Sequence, residues 1–139
     1  MQLTGDIALL QQFRQLPVKL QKKHGRRAIA KAARKVVKAA KQRCPTRSKQ
    51  LKKSLGFRPR TYKSGVFAVV GPRKGFREVV NGKPHDPAKI AHLVELGHGG
   101  PHAAEAKPFL RPAMDETAKS NVQLIASELQ KGLAEEATK

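Results

Sequence analysis

The stretch AIAKAARKVVKAAKQRCP, residues 28–45, decides the architecture, because it separates apolar from basic side chains around a helix. At about 100° per residue, the apolar side chains fall on one arc: Ile29, Ala33, Val36, Val37, Ala40 and Cys44. The basic side chains fall on the opposite arc: Arg27, Lys31, Arg34, Lys38 and Lys41. Since the apolar stripe is narrow and rich in alanine, it predicts a helix that another element approaches closely.

The ends of this helix are marked by prolines, and we expect it to span residues 17–44. Pro45 ends it, because the residue before a proline is disfavoured in helical geometry. Pro17 either interrupts a preceding helix over residues 6–16 or occupies the first turn of the long one. Asp6 is the predicted N-cap of the preceding helix.

A strand region follows over residues 57–82. Residues 46–57 read first as one or two helical turns, with Leu51 and Leu55 on the inner side. Strand-forming residues then precede Gly71–Pro72, and a partner strand near residues 57–62 would give a hairpin turned at 63–65. A third short strand at 77–80 would precede the Asn81–Gly82 turn. The number of strands stays open between two and four.

The C-terminal part of the chain predicts two helices separated by a loop. A short helix over residues 87–96 ends at Gly97, a loop follows over 97–107, and the last helix spans 110–133. The expected apolar stripe of the last helix is Leu110, Met114, Ala118, Val122, Ile125, Leu129 and Leu133. Its tail is expected to fray. The sum is one α+β domain over residues 1–139, with a long basic N-terminal helix, a short antiparallel β-sheet, a short helix and a C-terminal helix.

The charge is large and unevenly spread. The chain holds 29 Lys and Arg against 10 Asp and Glu, a formal net charge of +19. Residues 1–60 hold 18 of the basic residues and one acidic residue, whereas residues 113–139 hold three basic and five acidic ones. Charge of a single sign predicts a polyanion or an acidic protein surface as partner. Because aromatic residues are few, nucleic acid would be bound through its phosphates, without sequence preference and with a strong dependence on salt.

Metal binding and catalysis are both disfavoured. His92, His98 and His102, with Glu95 and Glu105, could supply zinc ligands, but their spacing favours a solvated loop instead. The sequence has no nucleophile elbow and no phosphate-cradling glycine loop, so we predict no enzyme and no cofactor. The single cysteine, Cys44, is expected to be a small core residue in a chain made in a reducing cytoplasm. No stretch approaches the roughly 20 apolar residues that span a bilayer, and no basic leader precedes the N-terminal apolar run.

The chain resembles the small tail-completion or head–tail-joining proteins of long-tailed bacteriophages, the gp-ten-like tail-component family. LTGDIALLQQFRQLPVKLQKK is similar to the opening of that family, and the Ala-rich helix ending at Pro45 is similar to its next element. AHLVELGHGG resembles a family motif built on Val-Glu-Phe-Gly, with Leu96 in place of the aromatic residue. AKPFLRPAMDE is close to the family segment Pro-Phe-Leu-Arg-Pro-Ala.

The resemblance implies a non-enzymatic virion protein made in the host cytoplasm and assembled as a ring of six subunits at the head-proximal end of the tail. Its expected protein partner is a connector ring, a tail terminator or a tape-measure protein. Packaged DNA is a further candidate partner, through non-specific phosphate contacts on the basic helix. The alternative is a basic, non-specific nucleic-acid-binding protein. Residues 95–112 would form a structural clasp with an ion pair between Glu95 and Arg111, leaving the loop free to reach a neighbouring subunit. The clasp residues are Glu95, Gly97, Pro108, Phe109, Leu110, Arg111 and Pro112.

Overall fold

The computed structural model describes residues 4–45 and 49–139 and confirms the α+β class. Within these residues there are five helices: α1 (Thr4–Gln15), α2 (Val18–Arg43), α3 (Lys49–Ser54), α4 (Pro87–Leu96) and α5 (Leu110–Ala137). There are four strands: β1 (Leu55–Tyr62), β2 (Gly65–Pro72), β3 (Glu78–Val80) and β4 (Lys83–His85).

The N-terminal boundaries differ slightly from the prediction. The first helix begins at Thr4, so Asp6 lies inside it and is not its N-cap. Pro17 has φ −52° and ψ 141°, which are extended values, and it separates α1 from α2. Pro17 therefore ends the first helix and lies just before the first turn of α2. The helix α2 continues through Gly25 and ends at Arg43. The prediction for residues 46–48 lies outside the described residues.

The strands form two antiparallel pairs rather than one sheet. The β1–β2 hairpin pairs Leu55 with Pro72 at its open end and Tyr62 with Gly65 at its tip. The β3–β4 pair turns at Asn81 and Gly82, both with positive φ, as a two-residue hairpin turn requires. The strand β4 lies beyond the predicted strand region, which ended at residue 82. The sequence did not indicate it, because a Lys-Pro-His segment has little preference for strands.

The long helix α2 is the centre of the molecule, since α5 and both strands of the β1–β2 hairpin pack against it. One apolar cluster joins its C-terminal half to α3, α4 and the start of α5: Val36, Ala40, Cys44, Leu51, Leu55, Ala91, Phe109 and Ala113. A smaller cluster joins its N-terminal half to α1 and α5 around Leu9, Ala28 and Leu129. Leu51 and Leu55 face inward as predicted, each only 1% exposed.

The apolar stripe predicted for α5 is wrong in its first half. Met114 is 52% exposed and Val122 is 45% exposed, while Ala113 and Thr117 are buried. The reason is close packing, because the alanine-rich side of α2 accepts small residues of α5 better than large ones. Gly132 lies so close to α2 that an added Cβ would stand 2.6 Å from Nδ1 of His24.

The end of α5 also differs from the prediction. The helix continues to Ala137, past the residues expected to fray. Glu135 and Glu136 hold this last turn against α2, where they contact Arg27 and His24. The end of the helix is therefore decided by contacts between side chains that are at least 108 residues apart in the sequence.

Candidate functional site: a basic surface and a helix clasp

The basic arc predicted on α2 is divided by the fold into two groups. Arg27 and Lys31 turn toward α5. The Nζ atom of Lys31 lies 2.7 Å from Oε1 of Glu128, and Nη1 of Arg27 lies 3.0 Å from Oε1 of Glu135. These two cations are neutralised inside the chain, which leaves the other three, Arg34, Lys38 and Lys41, as the open part of the predicted face.

Glu128 is the centre of the neutralised group. Its side chain is 3% exposed, and it also receives Lys131 at 3.5 Å and Arg27 at 3.8 Å. The hydrogen bond from Lys31 lowers the pKa of Glu128, and this outweighs the burial that raises it. The carboxylate therefore stays charged and ties the two longest helices together.

A second buried pair lies at the far end of the same interface. His24 is 1% exposed, and its Nε2 lies 3.0 Å from Oε1 of Glu136. The hydrogen bond that the carboxylate accepts from His24, followed by the one that it accepts from Lys139, lowers the pKa of Glu136. The sequence reading missed His24, Glu128 and Glu136. The surplus of acidic residues after position 113 was the available signal, since it complements a helix with no acidic residue of its own.

The other three cations of the predicted arc border an open depression of about 380 Å³. Its lining side chains are Arg34, Val37, Lys38, Lys41, Gln42 and Lys52. The guanidinium carbon of Arg34 lies 5.6 Å from the centroid of the Phe57 ring, which orients the side chain by a cation–π contact. Lys38, Lys41 and Lys52 form no ion pair with any residue that the structure describes.

The β1–β2 hairpin carries further cations next to this depression. A second depression of about 640 Å³ is lined by Phe57, Arg58, Arg60, Arg73, Lys74 and their neighbours on both strands. Arg73 is held in place, because its backbone N–H donates to the carbonyl of Ser54 at 2.9 Å and its guanidinium lies 5.1 Å from the Phe76 ring centroid. We name the two depressions together the basic surface.

The clasp is built differently from the prediction. The Glu95 carboxylate accepts three backbone N–H groups at the start of α5: Phe109 at 2.8 Å, Leu110 at 3.0 Å and Arg111 at 2.9 Å. No described ion pair joins the guanidinium of Arg111 to Glu95, so the expected ion pair is wrong. The N-terminus of a helix presents unbonded N–H groups and partial positive charge, which satisfy a carboxylate without a cation.

This arrangement affects the protonation of Glu95. Burial raises the pKa of Glu95, and the hydrogen bonds from Phe109, Arg111 and Leu110 lower it. The three hydrogen bonds together have the larger effect, so the pKa is below its ordinary value. The carboxylate is therefore charged at neutral pH and acts as a remote N-cap, delivered from α4 to α5. It replaces the hydrogen bond that an N-cap side chain usually accepts from the helix N–H groups. The N-cap residue of α5 is Phe109, whose side chain forms no such bond.

The other clasp residues support this junction in several ways. Phe109 is 0% exposed and lies in the larger core cluster, and Leu110 packs against that cluster. Gly97 ends α4 with φ +71°, and an added Cβ would meet the backbone of Ala104 and Ala106 within 3 Å. Pro108 is exposed, and Pro112 is the third residue of α5.

The loop from Gly97 to Lys107 is folded back rather than free. His98 and Ala104 exchange two backbone hydrogen bonds of 3.0 and 2.9 Å, and the N–H of Lys107 donates to Val94 at 2.8 Å. Residues 98–107 are exposed, and residues 99–103 form the tip between the paired His98 and Ala104. The loop that was expected to be free is therefore held at its base by backbone hydrogen bonds, and its contact with a neighbouring subunit stays a prediction.

The described residues form no arrangement suited to metal binding. Residues 4–45 and 49–139 contain no group of three or more His, Cys, Asp or Glu side chains placed to hold a metal ion. Cys44 is 3% exposed in the core, and burial raises the pKa of its thiol. Among the described helices, none combines the length and the apolar character needed to cross a membrane.

These features define a small, basic α+β protein organised around one long helix. Residues 7–97 match the model of the family described as "Bacteriophage HK97-gp10, putative tail-component". The match spans more than half of the chain, and the protein belongs to this family. The resemblance noted from the sequence is confirmed, and the protein is a component of a bacteriophage tail. No curated protein and no solved structure matched the chain.

The matched range has a consequence for the clasp. It includes Glu95 and ends at Gly97, so the Pro108–Pro112 side of the junction lies beyond it. The similarity of that segment to the family therefore stays a prediction from the sequence.

Proposed function

We propose that this tail component is a structural, non-enzymatic protein that forms a sixfold ring at the head-proximal end of the tail and completes the tail for joining to the head. The observation that carries the proposal is family membership over residues 7–97. In the assembled particle its neighbours would be a connector ring, a tail terminator or a tape-measure protein, with packaged DNA close by.

Exposed apolar side chains support assembly with other subunits. Large apolar residues lie more than 40% exposed on several elements, among them Ile7 on α1, Val69 on β2 and Val122 on α5. A ring of identical subunits needs two different surfaces that fit each other, and apolar groups on separate elements can supply both. The clasp fixes the angle between α4 and α5, so that such surfaces would be held in one geometry.

Charge gives a further argument about the surroundings. Each subunit carries a formal charge of +19, and a ring multiplies this by its subunit number within a small volume. Such a ring is stabilised where a polyanion or an acidic protein ring faces it. The junction between a tail and a DNA-filled head offers both.

Quantitative mass spectrometry of density-purified particles from the source phage tests the location. We expect the protein at a few copies per particle, well below the major tail protein. Absence from particles that contain the other tail proteins would end the proposal.

An early stop codon in the gene tests the role. We expect filled heads and separate tails by electron microscopy, with joining restored by the wild-type gene supplied in trans. A stop codon in the major tail protein gene serves as the control, since it should remove tails altogether. Normal infectious particles from the first mutant would contradict the proposed role.

Charge reversal tests whether the open part of the basic arc matters for joining. Arg34→Glu, Lys38→Glu and Lys41→Glu together should block joining while the fold stays intact, because none of the three is paired with a carboxylate. Lys31 is left unchanged because it neutralises buried Glu128. The matched control replaces Lys83, Lys89 and Lys119 by Glu, which are exposed and change the charge equally. Unchanged joining in the first variant would sink the idea.

A further inference from the structure

We propose that the basic surface formed by α2, α3 and the β1–β2 hairpin binds the phosphate backbone of duplex DNA without sequence preference. The inference goes beyond the proposed function, because the isolated protein would bind DNA wherever it sits in the particle. It also differs from the whole basic face of α2, since it excludes Arg27 and Lys31 and includes residues of α3 and the hairpin.

The first step is the way in which the fold distributes its carboxylates. Four of the five acidic residues after position 113 form ion pairs with residues of α2: Glu116 with Arg43, Glu128 with Lys31, Glu135 with Arg27, and Glu136 with Lys23. All four are on α5. The carboxylates of α5 thus neutralise the cations of α2 that face α5. Arg34, Lys38 and Lys41 continue the same arc toward the C-terminal end of α2, and they form no ion pair with the described residues.

The second step is the spacing of the three open cations of the predicted arc. Arg34, Lys38 and Lys41 are separated by four and three residues and therefore share one side of the helix. They span about 10 Å of helix, a length over which duplex DNA presents about six phosphate charges. With Lys52 from α3, they surround a depression of about 380 Å³ that is open to solvent.

The third step is the continuation of this charge onto the hairpin. The contact of Arg34 with Phe57 links the first depression to the second, which Phe57 also lines. Arg58 and Arg60 are exposed and alternate along β1, so both project from the same face of the strand. Arg73 and Lys74 border the same depression. The basic surface therefore offers at least eight cations, enough to track a backbone rather than to hold a single anion.

The residues around the first depression favour DNA over an acidic protein. The core of a protein interface is rich in aromatic and large apolar side chains, whereas the only apolar side chain among those that line this depression is Val37. Single-stranded nucleic acid is disfavoured as well, because it needs free aromatic faces for stacking. Among the residues that line the two depressions the one aromatic ring is that of Phe57, and Arg34 lies over it.

Fluorescence anisotropy with a labelled duplex of about 20 base pairs, titrated between about 50 and 200 mM salt, tests the inference. The test variant carries Arg34→Gln, Lys38→Gln, Lys41→Gln and Lys52→Gln. We expect its affinity to fall at least tenfold at the lower salt, and its slope of log affinity against log salt to become shallower by about three to four. The matched control replaces four exposed lysines elsewhere by Gln, none of them in an ion pair with the described residues: Lys83, Lys89, Lys107 and Lys119. The control should keep most of the affinity, and circular dichroism checks that both variants are folded.

Several results would overturn the inference. They are absence of duplex binding by the wild-type protein at low salt, equal losses in the test and control variants, and tighter binding of single-stranded DNA. Stronger competition by poly-glutamate than by duplex at equal charge would assign the surface to an acidic protein. Since this experiment uses the purified chain, its failure is separate from a failure to find the protein in virions.

Discussion

At the scale of single residues, Glu95 shows how one side chain joins two helices. It lies in the last turn of α4, and its two oxygens accept the N–H groups of three successive residues at the start of α5. A carboxylate suits this place because it meets unbonded N–H groups and the positive end of the helix dipole together. The sequence predicted the junction and Glu95 as its centre, but named the side chain of Arg111 as the partner.

Replacing Glu95 by Gln tests the cap. We expect the variant to lose about 1 kcal/mol of unfolding free energy, because the amide keeps an acceptor oxygen but loses the charge. Urea unfolding followed by circular dichroism measures this change. Glu105→Gln is the control, since Glu105 is exposed and forms no ion pair among the described residues. Equal stability of the two variants would remove Glu95 as the link between α4 and α5.

The stability difference between the wild-type protein and Glu95→Gln should depend on pH. The folded-state pKa of Glu95 is lower than its ordinary value of 4.5, so in acid the unfolded chain takes up the proton first. The stability that Glu95 contributes is therefore complete above about pH 4.5 and is lost as the pH falls through the folded-state pKa. We expect the difference between wild type and Glu95→Gln to be constant from pH 7 to 6 and to shrink below 4.5.

Gly97 gives a second prediction at this scale. Its φ of +71° lies in the region that disfavours side chains, and an added Cβ would stand 2.7 Å from the amide nitrogen of Ala106. We expect Gly97→Ala to cost about 1–3 kcal/mol of unfolding free energy, measured by urea unfolding. Gly99→Ala is the matched control, because nothing lies within 4 Å of its added Cβ. A neutral Gly97→Ala would mean that the loop can leave this conformation at no cost.

At the scale of elements, the α2–α5 pair decides which basic residues are available. The sequence predicted α2 almost to its ends and placed Ala33, Val36, Ala40 and Cys44 correctly in the core. It could not predict that Arg27 and Lys31 face α5, because helical periodicity describes one helix and not the carboxylates of another. The same lack explains the error in the α5 stripe, whose hydrophobic pattern does not reveal how closely the two backbones approach.

Replacing Lys31 and Lys38 separately by Gln tests this division. Lys31→Gln removes the closest cation from Glu128, whose side chain is 3% exposed, and should lower the unfolding midpoint in urea. Lys38→Gln removes a cation of the same helix that forms no ion pair with the described residues, and should leave the midpoint near that of wild type. Equal midpoints for the two variants would show that the fold does not sort the charges as inferred.

At the scale of the whole molecule, apolar side chains remain in solvent on α1, β2 and α5. Val122 is 45% exposed on α5, where it borders an apolar depression together with Leu9 and Leu10 of α1. Val122→Thr preserves the β-branched shape but places a hydroxyl where a methyl group would be buried in an assembly.

We expect Val122→Thr to unfold like the wild-type protein and to form less of the proposed ring, as measured by native mass spectrometry. Val79→Thr is the control, since Val79 is 71% exposed on a different element, β3. If both variants assemble like the wild type, this face of α5 is not a subunit contact.

The sequence by itself determined the α+β class, the order of the helices, the hairpin and the family, because these follow from local periodicity, proline positions and motifs. Only the tertiary structure decided which cations stay free of ion pairs, which N–H groups bind to Glu95 and where α5 ends. Each of these depends on contacts between residues far apart in the chain, such as Lys31 with Glu128, and local patterns carry no information about such pairs. Charge was visible in the sequence, but its direction in space was set by the packing of α5 on α2.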